Sequence, residues 1–220
     1  MKFLLSLFLL VTVSLSAQAA TLAELVAKLP EGGYSDRSAM VEAIAALNDP
    51  AAIPILEALS DGDLHVRESD GAVVIAKREG GDYVLTDPLT GGELGTAGRR
   101  DTDKIRVNNR VRGAVSEALT QLKLSSPNAA MRRAAAEEAA KYGSQTMLAR
   151  LRSALETEQV PAVKSTMQSA LIAAELAAGT PEERIAAIEK LSESLDPAIR
   201  ALLGQVRNDP ATEPEVQEAI

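Results

Sequence analysis

The chain has 220 residues, a formal net charge of −8, one histidine, no cysteine and no tryptophan. These figures exclude disulfides, His/Cys metal clusters and a broadly basic face for nucleic acid. The length allows one extended helical core or two small ones.

The first twenty residues, "MKFLLSLFLLVTVSLSAQAA", set Lys2 before an apolar run and end in the small-residue pattern Ala17-Gln18-Ala19. That is the pattern of a secretory signal peptide over 1–19, cleaved after Ala19. The run is short for a spanning helix, which needs about 20 apolar residues, so an uncleaved anchor is the less favoured alternative. Either way the rest of the chain is exported. Phe3 and Phe8 lie in this segment, so Tyr34, Tyr83 and Tyr142 are the aromatics beyond it. A core of Ala, Leu, Val, Ile and Met suits close helix packing. It does not suit an aromatic-lined ligand pocket.

Residues 21–63 read as a first helical repeat. Met40, Ile44 and Leu47 share a helix face, Asn48-Asp49-Pro50 breaks it, and Ile53, Leu56 and Leu59 continue in a second helix. Asp61-Gly62 is the stop signal. Residues 64–98 depart from this grammar. The β-branched run 72–77, the turn Gly80-Gly81 and the strand 83–86 predict a β-hairpin insert, with 64–67 as a third strand and 89–95 as a turn. A lone hairpin is barely stable in water, so it must pack on helices. The supporting helix falls in 99–125, from about 104, with Val107, Val111, Val115, Ala118 and Leu122 as its apolar stripe.

Residues 126–220 return to helical repeats. Helices over 128–141 and 145–156 flank a break at Gly143, and Val163, Met167, Ala170 and Leu171 lie in register on the next. Thr180, Pro181 and Glu183 form an N-terminal capping signature ahead of Ile185, Ile188 and Leu191. Asp196-Pro197 opens a helix with Ile199, Leu202, Leu203 and Val206, and Thr212 with Pro214 opens another. The pattern predicts a mostly α, HEAT/armadillo-like helical-repeat solenoid of units of about 30–45 residues, carrying a small β insert. The alternative is an irregular helical bundle.

Catalytic chemistry is sparse. His65 is the lone histidine, and no G-x-S-x-G or comparable nucleophile motif accompanies it, so it reads as a strand residue. The Gly-rich pieces at 31–33, 79–82 and 90–95 match no phosphate-binding pattern. Asp70, Asp82 and Asp87 read as turn formers. No catalytic, cofactor-binding or metal-binding residue is assigned, and no cofactor is expected.

The polar stretch "DTDKIRVNNRVR", 101–112, stands out. Between 99 and 112 six basic residues face only Asp101 and Asp103, a local net charge of +4. Arg106, Asn108, Asn109, Arg110 and Arg112 are the candidate residues. Forked guanidinium and amide groups pair readily with carboxylates and carbonyls. One reading is a clasp that ties the β insert to the helices through Glu68, Asp70, Asp82 or Asp87. The other is a contact for an anionic partner.

The pieces "LHVRESDGAVVIAKREGGDYVLTDPLTGGELG" and "RRDTDKIRVNNRVRGAVSEAL" resemble the extracytoplasmic N-terminal region of urea-type permease subunits of ABC transporters, which are related to the branched-chain amino-acid permeases. The similarity runs over almost the whole chain, and "TDPLTG…DKIRVNNR" is its most specific part. The resemblance implies a non-catalytic periplasmic accessory domain of a urea importer, at the inner membrane. Its implied partners are a periplasmic urea-binding protein, a second permease subunit and two ATPase subunits, with no nucleic acid. It also implies that a multi-helix membrane domain follows, so that the chain is expected to be a fragment of a longer permease. The alternative is a free-standing periplasmic helical-repeat scaffold for protein–protein interaction.

Overall fold

The computed structural model describes residues 20–141, 144–192 and 197–220. The signal-peptide segment 1–19, the break at Gly143 and the opening residue Asp196 lie outside the described residues. The protein is mostly helical, with one small antiparallel sheet of five strands. No described helix is long and apolar enough to cross a membrane.

Three helices come first: α1 (Leu22–Lys28), α2 (Tyr34–Ala46) and α3 (Ala52–Asp61). Thr21 and Glu24 cap α1 reciprocally: the Glu24 carboxylate accepts from the Thr21 N–H at 2.9 Å and the Thr21 hydroxyl from the Glu24 N–H at 3.3 Å. This satisfies two donors that a helix start leaves open. α3 ends at Gly62, in the left-handed conformation (φ 79°). A Cβ there would run into the Lys104 ammonium, so glycine answers both the backbone and the space.

The sheet is built from β1 (Leu64–Arg67), β2 (Val73–Glu79), β3 (Asp82–Thr86), β4 (Glu93–Ala97) and β5 (Thr102–Lys104). Its order is β4-β3-β2-β1-β5. Two of these strands were not expected. The sequence predicts a turn over 89–95, but the turn closes by Gly92 and the chain pairs again with β3, Tyr83 opposite Ala97 and Val84 opposite Thr96. Residues 102–104, placed at the start of the supporting helix, instead pair with β1, His65 opposite Lys104 and Arg67 opposite Thr102. The β propensity of "ELGTA" and "TDK" is weak; pairing with an existing strand supplies what the local sequence does not. The pleat sorts the apolar residues. Leu64, Val66, Val73 and Ile75 join the helical core, while Val74, Ala76 and Leu85 form a small cluster with Tyr83 and Ala97.

The supporting helix α4 (Asn109–Leu124) therefore starts about five residues later than the sequence suggests. Val107, expected to open its stripe, precedes the helix and is half-buried, while Val111, Val115, Ala118 and Leu122 are buried, in one core with Val41, Ile44, Ile55, Leu56 and Leu59. Then come α5 (Ala129–Ala139), α6 (Gln145–Thr157) and α7 (Pro161–Ala178) around a second core of Met147, Leu148, Leu151, Val163 and Met167. Leu124, from the last turn of α4, belongs to this second core. A third, smaller core joins Leu176 to α8 (Pro181–Ser192), α9 (Pro197–Asn208) and α10 (Pro214–Glu218) through Ala187, Ile188, Leu203 and Val216. The Thr180/Glu183 capping box forms as its sequence requires. Of the adjacent apolar pair in α9, Leu203 is buried and Leu202 is 40% exposed.

Candidate functional site

The distinctive stretch 101–112 divides into three parts. Thr102, Asp103 and Lys104 form the edge strand β5. Ile105 is buried, and Arg106 and Val107 lead from the strand to the helix cap. Asn108 is the N-cap of α4: its side-chain oxygen accepts from the Val111 N–H at 3.0 Å. Asn favours this position because its side chain satisfies a donor the first helical turn leaves open.

A groove of about 300 Å³ opens beside this turn, between the 30–34 loop and the 103–106 segment. Arg37 lines the groove. It is 7% exposed, and its guanidinium donates to three backbone carbonyls: Leu29 at 2.7 Å, Arg106 at 3.0 Å and Pro30 at 3.2 Å. The Arg37 guanidinium also lies 5.8 Å from the centre of the exposed Tyr34 ring. One buried cation thus ties the α1–α2 loop to the segment entering α4.

The arginine side chains of 101–112 make no carboxylate clasp to the β insert among the described residues; the tie at this turn comes from Arg37. Arg106 contributes its carbonyl and points its side chain outward, and Arg110 and Arg112 are exposed. Neither Arg106 nor Arg110 pairs with a carboxylate among the described residues. The Arg112 guanidinium donates to the Asn109 side chain at 3.3 Å, within the first turn of α4. Two of the four acidic groups assigned to the clasp, Asp70 and Asp87, are used in their own turns. Asp70 accepts from Arg67 at 2.9 and 2.7 Å and from the Ala72 N–H at 3.2 Å. Those bonds hold its carboxyl below the ordinary range, the Arg67 guanidinium foremost. Asp87 accepts from the N–H groups of Thr90 and Leu89, which lower it likewise.

Arg37 was missed, although its register carried a signal. It lies four residues before Val41 and seven before Ile44, on the stripe that α2 buries. A charged residue at such a position must find partners indoors.

His65 is buried in β1. Its Nδ1 lies 3.0 Å from the Thr102 hydroxyl, and its ring packs on Tyr83 with centres 5.0 Å apart. Burial lowers its pKa below the ordinary value, which keeps the ring neutral near pH 7. It bridges β1 and β5 rather than facing a groove. Among the described residues no group of three or more His, Asp or Glu side chains is assembled to hold a metal ion.

A second concavity of about 370 Å³ lies where the α2–α3 turn, the end of α4 and α6 meet. On its wall Arg132 and Glu158 form a forked ion pair, with Nε to Oε2 at 2.6 Å and Nη2 to Oε1 at 2.9 Å. The Glu158 side chain is 1% exposed, and its carboxylate also accepts from the Val160 N–H at 2.8 Å. Arg132 holds that carboxyl down to about 2. This pair was not foreseen either, since its members are separated by a whole helix.

By fold the chain is a mostly helical protein with a small antiparallel sheet. Compared with protein-family models, curated proteins and solved structures, it matches none.

Proposed function

We propose that this chain is the exported accessory domain of a urea-type ABC permease subunit, a non-catalytic docking module on the periplasmic side of the inner membrane. Its occupants would be partner subunits: the urea-binding protein, the second permease subunit, or the ATPases through the full-length protein. The helix pairs beyond α4 are read as degenerate repeats of a HEAT-like array. The sequence resemblance of 64–95 and 99–119 suggests the family. One structural observation supports docking. In 101–112 the apolar residues Ile105 and Val111 are buried and Asn108 caps a helix, while Arg106 and Arg110 face outward with no carboxylate partner among the described residues. Exposed arginines beside an exposed tyrosine suit an acidic protein surface, since both are favoured at the centres of interfaces.

The test uses the intact transporter. Removing residues 21–220, and separately reversing charge with Arg106→Glu and Arg110→Glu together, should reduce urea uptake and weaken association with the binding protein. The charge-reversed form should fold normally and lose about tenfold in affinity or more, an effect that salt screens. Unchanged uptake and unchanged association in both forms would sink the docking role.

A further inference from the structure

Charge accounting among the arginines points to a second site. Among the described residues, every arginine that is not exposed has a partner, with one exception. Arg37 holds three carbonyls, Arg67 pairs with Asp70, Arg132 with Glu158, Arg152 with Glu175 and Glu183, and Arg184 with Glu213. Arg150, half-buried on α6, has none among the described residues.

Arg150 lines the 370 Å³ cleft described above, together with Asn48, Ser125 and Ser153. The other charges in that cleft are already spent. Arg132 gives its Nε and Nη2 donors to Glu158 and its Nη1 to the carbonyls of Ser126 and Pro127. Glu158 is neutralised by that pair. The cleft is left with one uncompensated positive charge and five unused N–H donors on Arg150. Ser153 is three residues after Arg150, on the same side of α6. Ser125 donates to the Asn48 side-chain oxygen at 3.4 Å, which leaves the Asn48 amide nitrogen available as a donor.

Arg150 also borders a neighbouring cavity of about 400 Å³ that carries Glu42 and Glu117. Neither carboxylate comes within ion-pair distance of it, and Glu117 accepts from the Ser144 hydroxyl at 2.7 Å. The guanidinium thus stands between a side with acidic groups and a side without a free one. An anion belongs on the second side.

We propose that this cleft binds a compact oxyanion, a carboxylate or phosphate group taken by the Arg150 guanidinium with Ser153, Ser125 and Asn48 as neutral polar neighbours. A planar fork matches either group through two parallel hydrogen bonds. The chain as a whole is acidic, so the site selects its ligand against the general field rather than with it.

The purified chain is titrated calorimetrically with inorganic phosphate and, separately, with succinate, in a buffer free of both groups. Saturable binding of at least one probe is expected. Arg150→Gln should weaken it about tenfold or more, Arg150→Lys by less, and Arg133→Gln, an exposed arginine elsewhere on α5, should leave it unchanged. Binding of phosphate alone identifies a phosphoryl ligand, and of succinate alone a carboxylate ligand; either supports the site. No saturable binding of either probe, or equal binding by Arg150→Gln, overturns it. If Arg150→Gln folds poorly, amide shift mapping on the unsubstituted chain decides. Changes centred on Asn48, Ser125 and Ser153 support the site, and changes centred elsewhere overturn it.

Discussion

Replacing Glu158 with glutamine should alter how the protein responds to acid. In the folded chain the carboxylate accepts two bonds from Arg132 and one from the Val160 N–H, with its side chain 1% exposed. Arg132 lowers its pKa from 4.5 to about 2. That difference corresponds to about 3 kcal/mol favouring the folded, ionised form. The direction follows from linkage. Because the folded pKa is depressed, this stability is fully present above about pH 4.5 and is lost as pH falls toward 2. Glu158→Gln keeps the shape but loses the charge. It should therefore be about 3 kcal/mol less stable at pH 6, and the gap should close progressively below pH 4.5. Denaturant unfolding followed by circular dichroism at a series of pH values measures the gap. If the two stability curves run parallel from pH 6 to pH 2, the assigned role of the pair is wrong. Arg132→Met should be at least as damaging near neutral pH, about 3–5 kcal/mol, because it strands a buried carboxylate.

Three further outcomes follow from the same geometry. Arg37→Met should cost about 2–4 kcal/mol by leaving three carbonyls without their donor, while Arg106→Ala and Arg110→Ala should each stay within about 0.5 kcal/mol, as read by urea unfolding. Equal effects would restore the side-chain clasp. Asn108→Ala should cost about 1 kcal/mol by uncapping α4, with Asn108→Asp recovering most of it in the same assay. His65, whose pKa burial lowers, should make stability fall as pH drops below 6.5, since the unfolded chain takes up the proton more readily. His65→Gln should flatten that part of the pH profile, and an unchanged slope would show that another group is responsible.

The helical framework was legible because its signals are local. The 3.6-residue period placed Ile44, Leu56, Leu59, Val111, Val115, Leu122, Val163, Met167 and Ile188 inside, and each is buried. The Thr180/Glu183 box was read from two residues three apart, and it forms. What escaped was non-local. β5 exists because His65 finds Lys104 across nearly forty positions, which no window along the sequence can reveal. The same holds for Arg132 with Glu158 and for Arg37 with the Arg106 carbonyl. Within 101–112 the composition marks a polar segment but not its roles: the Arg106 carbonyl is held by Arg37, Asn108 caps α4, and the side chains of Arg106, Arg110 and Arg112 lie outside.

α4 supplies Val111, Val115, Ala118 and Leu122 to the first core and Leu124 to the second. This has a consequence for the order of events when the chain is made from its N-terminus. α1 to α3 cannot close their core when they emerge, because the missing wall arrives only after the entire sheet, roughly fifty residues later, and the loop so formed must be closed before any of that burial is gained. The sheet faces the same wait, since β5 comes last and directly precedes α4. Nascent chains stopped short of Leu122 should therefore be open to proteases and chaperones along their whole emerged length. Protection should rise abruptly, not helix by helix, once α4 is free to turn inward.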